Sequence, residues 1–373
     1  MMTSPRFLSR CLALAGLAAC VPALLRADEE KLIEVAAFGD HQPIGMAVSG
    51  DPNRVFVSFP HRQPFANALL EITDGRQVPF PNAEWNALNP TDETKQFINA
   101  QDLFADDRHN LWLLDSSPSG GASILGKDGT TARAAGRFKV VKIDLNRNEV
   151  ADIYPFNDLP KEQSALNDLC IDHTHHLAYL SDPGLKAIVV LDLATKKSRV
   201  VLRNDPAMLA APGFKLKIED KYVEDASGRP FISNVNGIAL THDDRWFYFR
   251  AINQTWLRRI ETRWLADASL GDAELSTKIE KVAETGVCHG MVADKKGNIY
   301  LTDSQAKAIR YVTPEGKVGT LVQDERLIWP DSLGIGSDGY LYLTASQINR
   351  GSNYNGGKPA YSLPFRAYKV KLP

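Results

Sequence analysis

A motif that recurs six times constrains the fold of this 373-residue chain more than any other feature. Each copy has an apolar strand, a polar turn rich in Asp, Gly or Asn, and a second strand rich in aromatic and β-branched residues. The first strands read IGMAV, QDLFA, NDLCI, NGIAL, HGMVA and DSLGI, starting at Ile44, Gln101, Asn167, Asn236, His289 and Asp331. The second strands read RVFVSF, LWLLDSS, LAYLSDP, WFYFRA, IYLTDS and LYLTAS. Self-similarity of this kind indicates a modular repeat architecture.

Most copies are followed by two further strands, as in AIRYVTPEGK and VGTLVQDE after the fifth copy. Six four-stranded units in series predict an all-β, six-bladed β-propeller, because radial repetition leaves only short sheet edges. The last copy is followed by one strand, FRAYKVKLP, before the sequence stops. We expect KLIEVAAF, residues 31–38, to complete the last blade and close the ring. The copies start 57, 66, 69, 53 and 42 residues apart, so loops of different length are inserted into a constant frame.

The N-terminal residues 1–27 have the pattern of a secretory signal peptide, which leaves residues 28–373 as a single propeller domain. Arg6 and Arg10 precede the apolar segment CLALAGLAACVPALL, and Ala27 offers a cleavage point. Two alternatives stay open. LAAC, ending at Cys20, resembles a bacterial lipobox and would give a lipid anchor, or the segment is an unprocessed anchor. Export predicts a secreted or periplasmic protein.

Composition excludes several partners. The formal net charge of −2 argues against a nucleic-acid binder, which would show a basic excess. No apolar run after residue 30 is long enough to span a membrane. Only Cys170 and Cys288 lie outside the predicted signal segment, and both lie in apolar runs, so we expect buried free thiols. We expect a monomer whose partner is a small molecule.

The long insertions fall on one face of the predicted disc. They precede inner strands or connect second to third strands, and they cover residues 81–100, 116–137, 204–235 and 345–364. The turns on the opposite face are mostly about five residues long. Long loops on one face of a rigid frame are where function usually lies, although Gly- and Ser-rich segments are also typical of disorder.

The first position of each copy should point into the central mouth on the inserted face. Five of these six residues are polar, and the column reads Ile44, Gln101, Asn167, Asn236, His289 and Asp331. Polar groups that converge on one axis predict a ligand site. The alternative is that they bond only to neighbouring blades and to water in the channel.

The ends of the second strands should face the same mouth. Arg250 and Arg350 are candidates to hold an anionic or carbonyl group, because a guanidinium binds such groups bidentately. Asn349, beside Arg350, is a further ligand-binding candidate.

Several stretches resemble the major royal jelly/yellow protein family. They are TKQFINAQDLFADDRHNLWLLDSS, LNDLCIDHTHHLAYLSDPGLKAIVVLDLATKKSRVVL, the NGIAL copy and LIWPDSLGIGSDGYLYLTASQINR. The resemblance implies a secreted six-bladed propeller that binds small molecules at its central mouth. Some yellow-type members are linked to dopachrome conversion, bacterial members are often described as dopachrome-tautomerase-related, and others bind amines. The family has no universal catalytic set to transfer.

The chain is more distantly similar to the gluconolactonase/senescence-marker group. That resemblance implies a lactone hydrolase with a central divalent cation, usually held by Glu, two Asn and Asp. Asn167, Asn236 and Asp331 would be the metal ligands here, and calcium would suit such oxygen donors. Ile44 stands where the Glu is expected.

Three functions therefore stay open. The first is a binding protein or a tautomerase of the yellow type for an aromatic or amine ligand, with His289 moving a proton and Asp331 orienting it. The second is a metal-dependent lactonase. The third is a non-catalytic binding scaffold, since a fold does not by itself specify a function.

Overall fold

The computed structural model describes residues 1–2, 31–50, 52–62, 64–87, 92, 94–118 and 137–373. The predicted signal peptide and Cys20 therefore lie outside the described residues, apart from Met1 and Met2. Much of the predicted 116–137 insertion lies outside them as well. Residues 31–373 form one compact unit. No helix in the described ranges is long and apolar enough to cross a membrane.

The described residues form six four-stranded antiparallel sheets, and each sheet is a blade. Blade 1 contains β2 (Met46–Ser49), β3 (Arg54–Ser58), β4 (Leu69–Thr73) and β5 (Arg76–Pro79). Blade 2 contains β6 (Ala100–Ala105), β7 (Asn110–Ser117), β8 (Arg137–Asp144) and β9 (Glu149–Pro155). Blade 3 contains β10 (Leu169–Asp172), β11 (Leu177–Asp182), β12 (Ala187–Asp192) and β13 (Ser198–Val201).

The other three blades repeat this order. Blade 4 contains β16 (Val235–Leu240), β17 (Trp246–Ala251), β18 (Trp256–Glu261) and β19 (Glu280–Glu284), with α1 (Thr262–Ala266) and α2 (Asp272–Ser276) between its last two strands. Blade 5 contains β20 (Met291–Ala293), β21 (Ile299–Asp303), β22 (Ala308–Val312) and β23 (Val318–Gln323). Blade 6 contains β24 (Pro330–Ile335), β25 (Tyr340–Ala345), β26 (Arg366–Lys371) and β1 (Leu32–Ala37). A hairpin of β14 (Lys217–Ile218) and β15 (Lys221–Tyr222) lies between blades 3 and 4 in the sequence.

The ring closes as the sequence predicts. Each inner strand contacts the inner strand of the next blade, and β24 contacts β2. β1 pairs antiparallel with β26, from Leu32 opposite Val370 to Ala37 opposite Arg366. The side chain of Leu32 is fully buried. The prediction of a six-bladed propeller closed by its N-terminal strand is confirmed.

Aspartates in the first turns explain part of the repeat. Each of four turn carboxylates accepts a hydrogen bond from an aromatic side chain of the following strand. The pairs are Asp106–Trp112 at 2.8 Å, Asp172–Tyr179 at 2.8 Å, Asp294–Tyr300 at 3.3 Å and Asp338–Tyr342 at 2.7 Å. The recurring Asp and aromatic residues therefore hold the turn against its own second strand.

Inner strands of neighbouring blades approach closely, which explains the glycine that follows several ring residues. A Cβ atom on Gly290 would lie 2.2 Å from the Asp331 carbonyl oxygen, and one on Gly237 would lie 2.6 Å from that of His289. Hydroxyl groups bridge the same junctions. Ser58 Oγ donates to the Gln101 carbonyl at 2.8 Å, and Thr344 Oγ1 donates to the Ile44 carbonyl at 2.6 Å.

Most of the core lies between neighbouring blades, where apolar side chains from two sheets pack together, as Leu180 and Val189 of blade 3 do with Trp112 and Val140 of blade 2. Cys170 and Cys288 are buried free thiols, as predicted.

Candidate functional site

The first residues of the six copies meet at one small cavity, which we call the central cavity. It has a volume of about 30 Å³. It is lined by Ile44, Arg62, Gln101, Asn167, Phe231, Asn236, Ile252, His289, Trp329, Asp331 and Ile348. The structure thus brings together all five polar residues of the predicted ring. A cavity of this size has room for about two water molecules.

The amide side chains of the ring bond partly to each other. Gln101 Nε2 donates to Asn167 Oδ1 at 3.3 Å, which links blades 2 and 3. Asn167 Nδ2 donates to Asp168 Oδ1 at 2.6 Å. Asn236 Nδ2 reaches Ser233 Oγ at 3.4 Å. Some hydrogen-bond donors and acceptors of the ring are therefore used within the protein. This agrees in part with the alternative that the ring residues bond only to neighbouring blades and to water.

His289 is 2% exposed and has one ring nitrogen without a partner. Its Nε2 lies 2.7 Å from Ser304 Oγ, and its ring stacks on Trp329 with 4.1 Å between centroids. Among the described residues Nδ1 has no hydrogen-bond partner. Burial, helped by the charge of Arg250, lowers the pKa of His289 to about 3. The imidazole is therefore neutral at physiological pH.

Asp331 lines the same cavity and has the opposite pKa shift. Burial raises the pKa of its carboxyl to about 7, although the charge of Arg62 acts in the other direction. A carboxyl group with such a pKa can both accept and donate a proton near neutral pH. Asp331 thus has the protonation behaviour that the sequence suggested for His289.

Arg62 is a cavity residue that sequence reasoning did not identify. It follows β3 in blade 1, where the ring position itself is the apolar Ile44. Its Nη1 donates to Gln42 Oε1 at 2.6 Å, and its Nε is buried with no partner in the described part of the chain. Arg62 lies outside the repeat column, so no periodic signal marks it.

The structure places Arg250 away from the central cavity. Its side chain is fully buried and bonds to Thr285 Oγ1 at 2.5 Å and to the Gln254 carbonyl. Phe249 in β17 and Leu343 in β25 occupy equivalent positions of the repeat, because each pairs with the third residue of its copy. Arg250 follows Phe249 as Thr344 follows Leu343, so Arg250 occupies the position of the hydroxyl residues that bridge blades. We conclude that its contacts in this structure are those of a residue that holds blade 4 together.

Arg350 and Asn349 lie at a second pocket. This pocket has a volume of about 460 Å³ and also contains Glu219 and Tyr222. The Arg350 guanidinium binds both carboxylate oxygens of Glu219, at 3.0 and 2.5 Å, and Asn349 Nδ2 lies 3.4 Å from Glu219. Arg350 is therefore already paired with a carboxylate of the protein.

Parts of two insertions cover the inserted face. We call residues 204–235 and 345–364 the cap. Apolar cap residues pack against ring residue Ile44 and against Trp329 of the cavity; they are Leu216, Ile218, Val223, Phe231 and Ile348. Glu219, at the turn of the β14–β15 hairpin, pairs with Arg350 and with Lys307. The cap thus packs onto the central cavity, and the predicted mouth is narrow.

A larger cavity, the turn-face channel, lies along the inner strands on the other side. Its volume is about 370 Å³, and it reaches first-turn residues such as Asp106 and Asp244. Asp102 and Asp168 line it. Burial raises the pKa of Asp102 to about 7 and that of Asp168 well above its usual range, and the proximity of other carboxylates adds to both shifts.

The residues at the central cavity fit a calcium ion poorly. Asn167, Asn236 and Asp331 all line the cavity, but Ile44 contributes no oxygen and the Arg62 cation acts on Asp331. The described residues contain no group of three His, Cys, Asp or Glu side chains that could hold a metal ion. Calcium prefers six to eight oxygen ligands, so we derive no chemical step through a metal.

Comparison with solved structures supports the fold. The chain resembles a streptogramin B lyase at 16% identity and a TM-score of 0.53, covering 92% of this chain and 97% of that one. It resembles a gluconolactonase from Xanthomonas campestris at 11% identity and a TM-score of 0.54, covering 92% and 89%. It resembles the calcium-binding protein regucalcin from Agrobacterium tumefaciens at 11% identity and a TM-score of 0.54, covering 91% and 95%. At these identities the likeness shows the fold alone.

Comparison of the sequence with protein families gives a more specific result. A search among curated proteins finds no significant match. The sequence model of the major royal jelly protein family matches residues 98–368, which span blades 2 to 6 and include every polar ring residue. The expected resemblance is confirmed, and the chain belongs to the major royal jelly protein family.

Proposed function

We propose that this protein binds a small molecule at the central cavity and moves a proton on it, as a tautomerase of the yellow type would. The observation that carries the proposal is the convergence of polar side chains from five blades on one cavity, where His289 Nδ1 is buried and unpartnered. A buried polar atom without a partner is unfavourable unless a ligand or water satisfies it. The ring therefore has unused capacity to bind a ligand.

The ligand needs more space than the closed cavity provides. A volume of about 30 Å³ holds one functional group, whereas pockets for whole small molecules are about 300–1,000 Å³. We infer that displacement of the cap hairpin β14–β15, whose Ile218 packs in one apolar cluster with Phe231 and Trp329 of the cavity, would enlarge the central cavity. The Glu219–Arg350 ion pair holds that hairpin closed, so we infer that ligand entry requires this pair to separate.

The proposed proton transfer follows from the protonation states of Asp331 and His289. With a pKa of about 7, the Asp331 carboxylate can remove a proton from one ligand atom and return it to another. Such a tautomerisation needs no oxidant, because the proton removed is the proton returned. The neutral His289 holds the ligand by a hydrogen bond. Membership of the family, some of whose yellow-type members are linked to dopachrome conversion, supports this reaction class.

The proposal assigns Asp331 as the proton carrier, whereas the sequence suggested His289 with Asp331 orienting it. His289 Nε2 bonds to Ser304 in this structure, and the low pKa of His289 makes it a weak base. The lactonase alternative depends on a cation that the ring fits poorly, so we favour the metal-free reaction.

We also propose that the protein acts outside the cytoplasm. The charged and then apolar pattern of residues 6–25 supports export. Expression of the full chain in a bacterial host, followed by N-terminal analysis of the exported protein, tests this. A first residue of Asp28 indicates signal cleavage, a lipid-modified Cys20 indicates a lipoprotein, and an intact cytoplasmic chain contradicts export.

Ligand binding is tested by thermal unfolding with catechols, aromatic amines and lactones. A ligand that binds only the native state raises Tm by mass action. We expect at least one catechol or aromatic amine to raise Tm, and we expect Asp331→Asn to reduce the shift. Arg366→Gln, in the third strand of blade 6, is the matched control and should keep the shift. If a ligand shifts the Tm of wild type and of Asp331→Asn equally, the ring is not the binding site.

A further inference from the structure

Arg62 presents an almost unused set of hydrogen-bond donors at the central cavity. A guanidinium has five N–H donors. Over the residues that the structure describes, the side chain of Arg62 makes one hydrogen bond, from Nη1 to Gln42 Oε1, and no ion pair. Gln42 is itself held by a bond from Nε2 to the Ser346 carbonyl at 2.6 Å. Arg62 is therefore fixed at one nitrogen, while its other donors remain available to a ligand.

His289 supplies a second, independent sign of a ligand. His289 lines the same cavity, and its Nδ1 is buried with no partner among the described residues. A neutral imidazole has one N–H donor and one acceptor, so Nδ1 donates when Nε2 accepts from the Ser304 hydroxyl. Arg62 and His289 can then both present N–H groups to the cavity.

The other groups at the cavity favour a negatively charged guest. Asp331 is the one carboxyl among the cavity-lining residues that the structure describes, whereas Asp102 and Asp168 line the turn-face channel instead. The amides of Gln101, Asn167 and Asn236 can donate as well.

We propose that Arg62 and His289 form an anion subsite in the central cavity, and that the ligand carries a carboxylate or another planar oxyanion there. A guanidinium fork matches the two oxygens of a carboxylate. The cavity volume of about 30 Å³ admits such a head group while the rest of the ligand lies under the cap. This inference rests on the proposed function, because it names the ligand class of the same cavity.

Three small probes of similar size separate the possibilities. They are formate, which is an anion, formamide, which is neutral, and methylammonium, which is a cation. We would titrate each into ¹⁵N-labelled full-length mature protein at constant ionic strength, and follow the Arg62 Nε–H and His289 imidazole signals by NMR. We expect formate to shift both signals saturably, and we expect methylammonium to shift neither.

Variants then test the role of Arg62. Arg62→Gln should weaken formate binding by about tenfold or more, since hydrogen bonds to charged groups are strong. Arg62→Lys keeps the charge but loses the fork and should bind formate less tightly than wild type. Arg366→Gln, at a half-buried arginine of β26 that lies two strands outward from the inner strand β24, should bind formate like wild type. If Arg62→Gln fails to fold, the wild-type titration decides alone.

Each outcome has a defined consequence. Saturable formate binding that depends on Arg62 supports the anion subsite. Binding of formamide or methylammonium without formate overturns the anion subsite but leaves the proposed function in place. Equal formate binding by wild type and Arg62→Gln overturns the role of Arg62. If no probe shifts either signal, the anion subsite is overturned, and the Tm screen with catechols and aromatic amines decides the proposed function separately.

Discussion

His289 Nε2 lies 2.7 Å from the hydroxyl oxygen of Ser304, and among the described residues its Nδ1 has no hydrogen-bond partner. Stacking on Trp329 fixes the plane of the imidazole. The side chain is therefore oriented and buried before any ligand arrives, which favours a binding role over a proton-transfer role.

We expect His289 to remain neutral between about pH 5 and 8, the range in which an ordinary histidine titrates. Its folded pKa of about 3 reflects burial and the charge of Arg250. NMR of the imidazole nitrogens across this range measures the effect directly. Protonation of His289 near pH 6.5 would contradict the description of the site.

Asp331→Asn should become more stable relative to wild type as pH rises. The folded pKa of about 7 lies above the ordinary value of 3.8 for an aspartate, so folding favours the protonated carboxyl. The stability that this group contributes is complete below 3.8 and is lost as pH rises through about 7. The asparagine variant does not titrate, so the difference in Tm should grow between these pH values and then become constant.

The comparison must be a difference between variants. His289, whose folded pKa is lowered, shifts stability with pH in the opposite direction in both proteins. Subtracting the Tm of wild type from the Tm of Asp331→Asn at each pH removes the contribution of His289. A difference in Tm that does not change with pH would mean that the Asp331 pKa is not raised.

Arg250→Ala should destabilise the fold, because Arg250 is a buried structural side chain. The change leaves Thr285 and the Gln254 carbonyl without their donor and creates a cavity in blade 4. We expect a loss of about 2–5 kcal/mol in the free energy of unfolding. Arg366→Ala, which breaks the exposed pair with Glu34, should cost less than about 1 kcal/mol. Urea unfolding measures both, and equal effects would contradict the structural role.

Closure of the ring by β1 can be tested with two adjacent residues. Leu32 is fully buried against Tyr300, Leu341 and Tyr368, whereas Ile33 is 37% exposed. We expect Leu32→Ala to cost about 2–5 kcal/mol in the free energy of unfolding, and Ile33→Ala clearly less. A Leu32→Ala variant as stable as Ile33→Ala would show that the N-terminal strand does not contribute to the last blade.

Calcium should not stabilise the protein. The ring offers few oxygen ligands, and Arg62 places a positive charge near Asp331. We expect thermal unfolding with calcium and with excess chelator to give the same Tm. A calcium-dependent rise that disappears in Asp331→Ala would instead favour the lactonase function, by mass action at a metal site.

The fold could be predicted because the sequence motif of one blade recurs six times. Each copy carries its strands, its turn aspartate and its ring residue, so the blade count follows from alignment of the copies. The role of KLIEVAAF followed from the sixth copy, which has one strand too few. Such periodic features need no knowledge of contacts between distant residues.

The site could be predicted only in part, because its other residues are not periodic. Arg62 enters the cavity from a loop, and no second copy marks its position. Arg250 occupies a hydroxyl position of the repeat, and that register is visible only in the strand pairing. The cap has a local signal that could have been used, since Leu216, Ile218, Val223 and Phe231 are too apolar for a solvated loop.

The most direct test of the account is the rate of dopachrome conversion by wild type, Asp331→Asn and Arg366→Gln. If Asp331 carries the proton in the central cavity, wild type and Arg366→Gln accelerate the loss of dopachrome, and Asp331→Asn does not exceed the rate without protein. Equal rates for wild type and Asp331→Asn would contradict the assignment of Asp331 and of the central cavity as the site of reaction.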